Sequence, residues 1–448
     1  MKAVEGHRHR RSRRSRRNVA LILMLLSIPV AISAVAAVVM FLWPAPKAAG
    51  IRLPQTLAER SGSVFLPPPQ SLVAPPLVER VVLDGVSDVR PLSGSTGRDL
   101  EGRIWFGVTH GPAPETARLV QYDHRARSWY TSASVDDQLR RLNLTREGER
   151  QRHIVSKVVS ADDGWLYFAS MDREGEKADG SALPRWGGHL WRMRAGTEDW
   201  EHLVAVPEAL IAVGGAGRYV YALGYWGHVL YQYDTHATTV RRLAVGSVGG
   251  HVSRNLLTDI HGHAYVPRVA AGPGGRLQAS LIEIDTQMRE VGSTPLDFYL
   301  DAGDPNENRG ITAMSTLPDG RLVFTTARGH LYQVEPRQDA PGKVTALGWL
   351  HPSGEAQAGS LFAFGGDNLV AGATVRGDRH EWVVFELLTR TSIARPLDVK
   401  GGKSVTLYGS QSRDDDGGCY LVGWSGETGG KTEPLVLRVS AAGPPGVN

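Results

Sequence analysis

Cysteine is nearly absent, with Cys419 the single one in 448 residues. No intramolecular disulfide can form, so an oxidising compartment is neither required nor excluded. Cys419 falls inside the strand-like stretch GGCYLVGW and is expected to be a buried, small apolar residue. The chain also lacks a G-x-S-x-G nucleophile elbow, which argues against a Ser-His-Asp hydrolase, and it lacks a P-loop and a dinucleotide-binding glycine motif. Net positive charge is confined to the N-terminus. Residues 1–17 carry eight Lys and Arg against Glu5, a net +7, so the chain total of +4 leaves −3 for everything after them. The basic pI therefore belongs to an arm, and nothing points to a domain that binds nucleic acid.

One long hydrophobic run is present. Residues 18–43 (NVALILMLLSIPVAISAVAAVVMFLW) hold no charge and exceed the ~20 residues a bilayer span requires. Trp43 stands where an interfacial aromatic is expected. The basic arm before the run predicts a cytoplasmic N-terminus, a single-pass signal anchor in the cell membrane and an extracytoplasmic C-terminal bulk. A cleaved signal peptide is the alternative, with residues 45–49 as its cleavage region, although the run is longer than the usual h-region of about 7–15 residues. Ser15-Arg16-Arg17 weakly matches a twin-arginine signal. Residues 44–76, rich in Pro and small residues, form a spacer. The last eight residues, 441–448, are expected to be a disordered tail.

Glycine and proline are plentiful, at 52 and 26, and they punctuate a recurring unit. Seven copies follow in order: EGRIWFGV…ARLVQYD, DGWLYFAS…GHLWRMR, GRYVYALG…GHVLYQYD, HGHAYVPR…SLIEID, DGRLVFTT…GHLYQVE, DNLVAGAT…WVVFELL and GGCYLVGW…LVLRVS. A period of about 40–50 residues built from short strands predicts an all-β, seven-bladed β-propeller over residues 77–440. Each blade is expected to be four antiparallel strands, A innermost to D outermost, with the glycine turn between A and B. The last copy lacks a D strand and the first is preceded by LVERVVL (77–83), so this N-terminal strand should complete the last blade and remove the open edges. The pattern resembles the broad superfamily of bacterial seven-bladed propellers. It has no recurrent Trp-Asp pair of the WD40 kind, no kelch signature and no Asp-box series.

The glycine of each A–B turn is a ruler. His153, His251 and Arg309 each stand 11 residues before Gly164, Gly262 and Gly320. The segments His153–Lys157 and His251–Asn255 should therefore be equivalent, opening on the face shared by the D–A and B–C connections. The B–C side of that face adds His110, His189, Tyr225, Trp226, His228, Arg268, Arg328, His330, Trp424 and Glu427. Imidazoles, guanidiniums and aromatics dominate this inventory. Gly-His recurs at 188–189, 227–228 and 329–330, as a structural device bridging blades would. His261 and His263 flank Gly262 on the opposite face and are expected in solvent. Glu174, Glu176, Lys177 and Asp179 form a charged insertion, either an ordinary loop or a lid. Asp414-Asp415-Asp416 is an acidic turn that could take Ca²⁺ but lacks a known ligand spacing.

Three functions remain open. A binding module would use His110, His189, Trp226, Arg268, His330 and Trp424 to hold an anionic glycan, small molecule or peptide at the central-channel mouth, as an envelope scaffold. The inventory also resembles that of propeller polysaccharide lyases. That resemblance implies Arg309 or Arg268 neutralising a uronate carboxylate, with His153, His251 or Tyr225 abstracting the adjacent proton. A divalent metal on His153, His251 and His189 or His110 is the third reading, and no other cofactor is indicated.

Overall fold

The computed structural model describes residues 74–440, apart from Ser87, Pro91, 112–114, Glu198, Tyr225, Gly249, 301–309, 365–367, 400–403 and 427–431. The chain divides into two units, Met1–Thr56 and Leu57–Asn448, and only the second contains described residues. The expected span at 18–43, the spacer up to residue 73 and the tail lie outside them, as do Tyr225, Arg309 and Glu427. No described helix is long and apolar enough to cross a membrane.

Seven separate sheets follow one another along the described chain, at residues 96–134, 159–206, 210–244, 257–295, 311–349, 357–396 and 404–440. Each is an antiparallel A-B-C-D meander, which short turns permit and parallel strands would not. The seventh gains its D strand from Leu77–Arg80, whose register on strand C runs from Leu77↔Ser440 to Arg80↔Leu437. The ring-closing strand thus lies where the sequence places it. Blade 6 departs from the pattern. Its inner strand is split into Gln357–Ala358 and Phe362–Phe364, both paired with Leu369–Arg376. Gly359 lies at the break, where a Cβ would meet the Leu407 carbonyl at 2.6 Å.

Burial follows strand position. In blade 2, strand B (Leu166–Met171) is buried at every residue, whereas strand D of blade 3 (Thr239–Ala244) is mostly exposed. Blades pack face to face, so inner strands are covered on both sides and read as continuous apolar runs. Seven apolar clusters fill the seven joints. Trp105 meets Phe168 between blades 1 and 2, Tyr167 meets Val220 between 2 and 3, and Tyr221 meets Val266 between 3 and 4. Tyr265 meets Phe324, Val323 meets Val370, and Ala371 meets Leu421 at the next three joints. The closing joint packs Phe106 and Val108 of blade 1 against Tyr420 and Val422 of blade 7.

A second repeated device holds the lower turns. Asp99, Asp259 and Asp414 each precede a glycine by three residues and a Trp or Tyr by six: Gly102 and Trp105, Gly262 and Tyr265, Gly417 and Tyr420. The three glycines have φ of +87°, +86° and +80°, where a side chain would be strained. One carboxylate oxygen of each Asp accepts turn N–H groups, such as those of His261 and His263 at 2.9 Å. The other accepts the ring donor, from Trp105 Nε1 at 2.8 Å, Tyr265 OH at 2.7 Å and Tyr420 OH at 2.9 Å.

This device accounts for part of the acidic turn and corrects one expectation. Asp414 is buried and also receives Arg438 Nε at 2.6 Å, so this residue of the acidic turn is an internal tie. His263 is largely withdrawn from solvent, its side chain 12% exposed and its Nδ1 2.7 Å from Glu283 Oε1. Cys419 is buried in strand B of blade 7 as expected, and burial pushes its thiol up to about 12. The helix Val135–Arg141 was not anticipated. Ser134 caps it by accepting the Asp137 N–H at 3.1 Å, and Asp136 and Asp137 occupy its first turn.

Candidate functional site

The D–A connections and B–C loops open on one face, and the entries to the inner strands of five blades line a small cavity. Among its lining residues are Lys157, Asn255, Thr312, Ser360, Gly409 and Gln411, contributed by blades 2, 4, 5, 6 and 7. Lys157 and Asn255 are the last residues of the two segments aligned by the glycine ruler, each 7 residues before its turn glycine. Ala313 of blade 5, also in the lining, stands 7 residues before Gly320. The ruler therefore brings equivalent residues together, but the axial position is four residues nearer strand A than His153 and His251.

Lys157 is the main charged group of this cavity. Its Nζ donates to the Gly94 carbonyl at 2.8 Å, the Gly409 carbonyl at 2.7 Å and Thr96 Oγ1 at 3.4 Å. These acceptors belong to the chain entering blade 1 and to strand A of blade 7, so one side chain from blade 2 spans the closing joint. Burial, and then the neighbouring Arg254 cation, push its amine down to about 7. Arg254 donates to the Ser93 carbonyl at 3.4 Å, and its guanidinium lies 4.9 Å from the Tyr408 ring centre. No carboxylate occurs among the described residues lining the cavity.

The histidines lie elsewhere. His153 is half-buried, bridged through its backbone to Met171, with Nδ1 3.3 Å from Thr109 Oγ1. Burial, more than any charge, lowers its pKa. His251 is wholly buried. Its Nδ1 lies 2.6 Å from Ser247 Oγ, its Nε2 lies 2.8 Å from Tyr299 OH, and its ring packs 4.6 Å from His228. Burial and His228 push it down to about 2, and burial pushes His228 to about 4. His189 is buried between Glu149, 3.0 Å from Nε2, and His202, 2.9 Å from Nδ1.

Two of the three nominated metal ligands, His189 and His251, thus have both ring nitrogens engaged inside the protein. Among the described residues, the group with ligand atoms within 4.8 Å of one another is Asp259, His263 and Glu283 at a lower turn. Its oxygens already hold the turn, Tyr265 and the Gly342 N–H at 2.7 Å. It reads as a tie between blades 4 and 5.

The remaining candidates are spread along the upper rim. His110 ends strand B of blade 1, with its pKa lowered by burial and Arg118. Trp226 is buried beside Glu176 of the blade 2 insertion, whose carboxyl is raised by burial. Arg268 pairs with both oxygens of Glu290 at 2.8 and 3.0 Å. Trp424 is half-buried in strand B of blade 7, opposite Pro434. His330 is buried and stacked on Phe298. The Gly-His repeat does bridge blades in one copy, where His228 Nδ1 lies 2.8 Å from the Pro267 carbonyl of blade 4.

No protein-family model matches the chain. No curated protein matches it. Several solved structures are similar to it at low identity. The β-propeller domain of Cps50 (Swd1) from Myceliophteria thermophila is 12% identical with a TM-score of 0.46, covering 80% of this chain and 99% of that one. A protein of unknown function from Dyadobacter fermentans is 10% identical with a TM-score of 0.48, covering 82% and 99%. YCF48 with a bound peptide is 14% identical with a TM-score of 0.46, covering 84% and 98%. The fold assignment rests on the seven antiparallel sheets and their closure, and on no relative's activity.

Proposed function

We propose that this chain is a binding module that takes an anionic ligand at the axial mouth of the propeller, held outside the membrane by residues 18–43. The observation that carries the reading is Lys157. Its three acceptors are neutral, and the charge that acts on it is a second cation, Arg254. Like charges brought together away from bulk water repel more strongly than at the surface, and an entering anion relieves that repulsion. His251, one of the bases nominated for elimination, has both ring nitrogens hydrogen-bonded in the interior, so binding is favoured over cleavage.

The test is titration of the full chain in detergent with hexagalacturonate. Lys157→Gln keeps a hydrogen-bonding side chain and removes the charge. It should weaken binding about tenfold, through loss of a positive charge that attracts the anion at close range rather than of a direct hydrogen bond. Equal affinity in a variant with unchanged melting would refute the axial reading.

A further inference from the structure

We infer that Phe298, with Trp349 and the Arg328–Glu355 pair, forms a sugar-stacking platform on the upper rim, so that the ligand of this face is a glycan. The inference rests on the axial reading for the anion and adds the class of molecule that carries it. Phe298 lies in the connection from blade 4 to blade 5. Its φ is +54°, a region where Gly or Asn would sit with less strain, yet the residue is a Phe that is 49% exposed. Two hydrogen bonds from blade 5 hold the backbone there. The Asp297 carbonyl accepts the Tyr332 hydroxyl, and the Phe298 carbonyl accepts Thr326 Oγ1 at 3.2 Å. The ring is backed by His330, nearly parallel at 27° with centres 4.9 Å apart, and by Trp349 at 5.1 Å. A large apolar ring is thus pinned in an unfavourable backbone state with about half of the residue exposed. Strain kept in place by surrounding bonds points to use of the group it presents.

The polar neighbours select the occupant. Arg328 lies 5.9 Å from the Phe298 ring centre and 5.8 Å from that of Trp349. Its Nε and Nη2 meet the two oxygens of Glu355 at 2.8 and 2.7 Å. This pair is close to neutral overall and offers a planar donor beside a planar acceptor. Adjacent sugar hydroxyls both donate and accept, and the C–H face of a pyranose ring covers an aromatic ring. An acidic peptide side chain carries no such row of adjacent hydroxyls and no ring face to stack.

The full chain is titrated with hexagalacturonate, hexaglutamate and maltohexaose, as wild type and as Phe298→Asn. Asn tolerates the left-handed φ but gives up the ring's packing on His330 and Trp349, so the two effects offset and melting should change little. The inference expects hexagalacturonate to bind more tightly than hexaglutamate. It expects Phe298→Asn to weaken hexagalacturonate about tenfold and to leave hexaglutamate unchanged. Hexagalacturonate binding that ignores the substitution overturns the platform and leaves the axial reading standing. Hexaglutamate binding as tightly as hexagalacturonate overturns the glycan assignment. If neither anion binds, the axial reading falls. In that case maltohexaose binding that is lost in Phe298→Asn sustains the platform, and its absence overturns the platform too.

Discussion

His251 and Lys157 show how far a residue's type departs from its role. An imidazole at a repeated position suggested a functional group, but His251 is an internal one, closed between Ser247 and Tyr299. Its folded pKa, about 2, and that of His228, about 4, lie below the ordinary value near 6.5. Below pH 6.5 the unfolded chain therefore binds protons that the folded chain refuses, and stability falls as pH falls. The slope is on the order of 1.4 kcal/mol per pH unit for each fully linked histidine. The urea midpoint should drop between pH 7 and pH 5, and His251→Gln should flatten that drop. An unchanged pH dependence in the variant would show that His251 does not carry the linkage. Asp414 makes a comparable case. Asp414→Asn keeps the shape of the side chain but weakens the pairing with Arg438 and the turn, at a cost of about 1–3 kcal/mol. Thermal melting should record the loss, and adding calcium to wild type should not shift it.

At the scale of the element, the glycine turns and apolar runs made the blades legible before any coordinate. Turn glycines at φ near +87°, as at Gly102 and Gly320, have no substitute without strain, so they mark the chain visibly. The closing strand was legible for the same kind of reason, because an unpaired edge needs a partner. The axial residue was not legible. Strand A entries run along the axis, and the ruler fixes equivalence between blades without saying which of five residues turns inward. The Asp-x-x-Gly-x-x-Trp/Tyr ties at Asp99, Asp259 and Asp414 were in the sequence throughout, but their roles appear only when the ring donor is seen to reach back to the carboxylate. Deleting Leu77–Arg80 tests the closing strand. It removes the ladder to strand C of blade 7 and exposes that edge. The shortened chain should melt lower and associate at concentrations where wild type stays monodisperse. Unchanged melting would mean the ring does not depend on this strand.

For the whole molecule, seven apolar joints make a ring whose stiffness places distant residues of the sequence on one axis. Lys157 bonds to residues at 94, 96 and 409, on the entry to blade 1 and on blades 1 and 7, because closure brings those chain segments beside blade 2. The net charge after the N-terminal arm is −3, so the axial cations stand out against a mildly acidic molecule. An amine near 7 is charged below that pH and loses its charge above it. Calorimetric titration of the full chain with hexagalacturonate at pH 6 and pH 8, as wild type and Lys157→Arg, tests the axial claim most directly. The account predicts a wild-type affinity about tenfold weaker at pH 8 and a Lys157→Arg affinity that barely changes, since arginine stays charged at both pH values. A wild-type affinity that is the same at both pH values would contradict it.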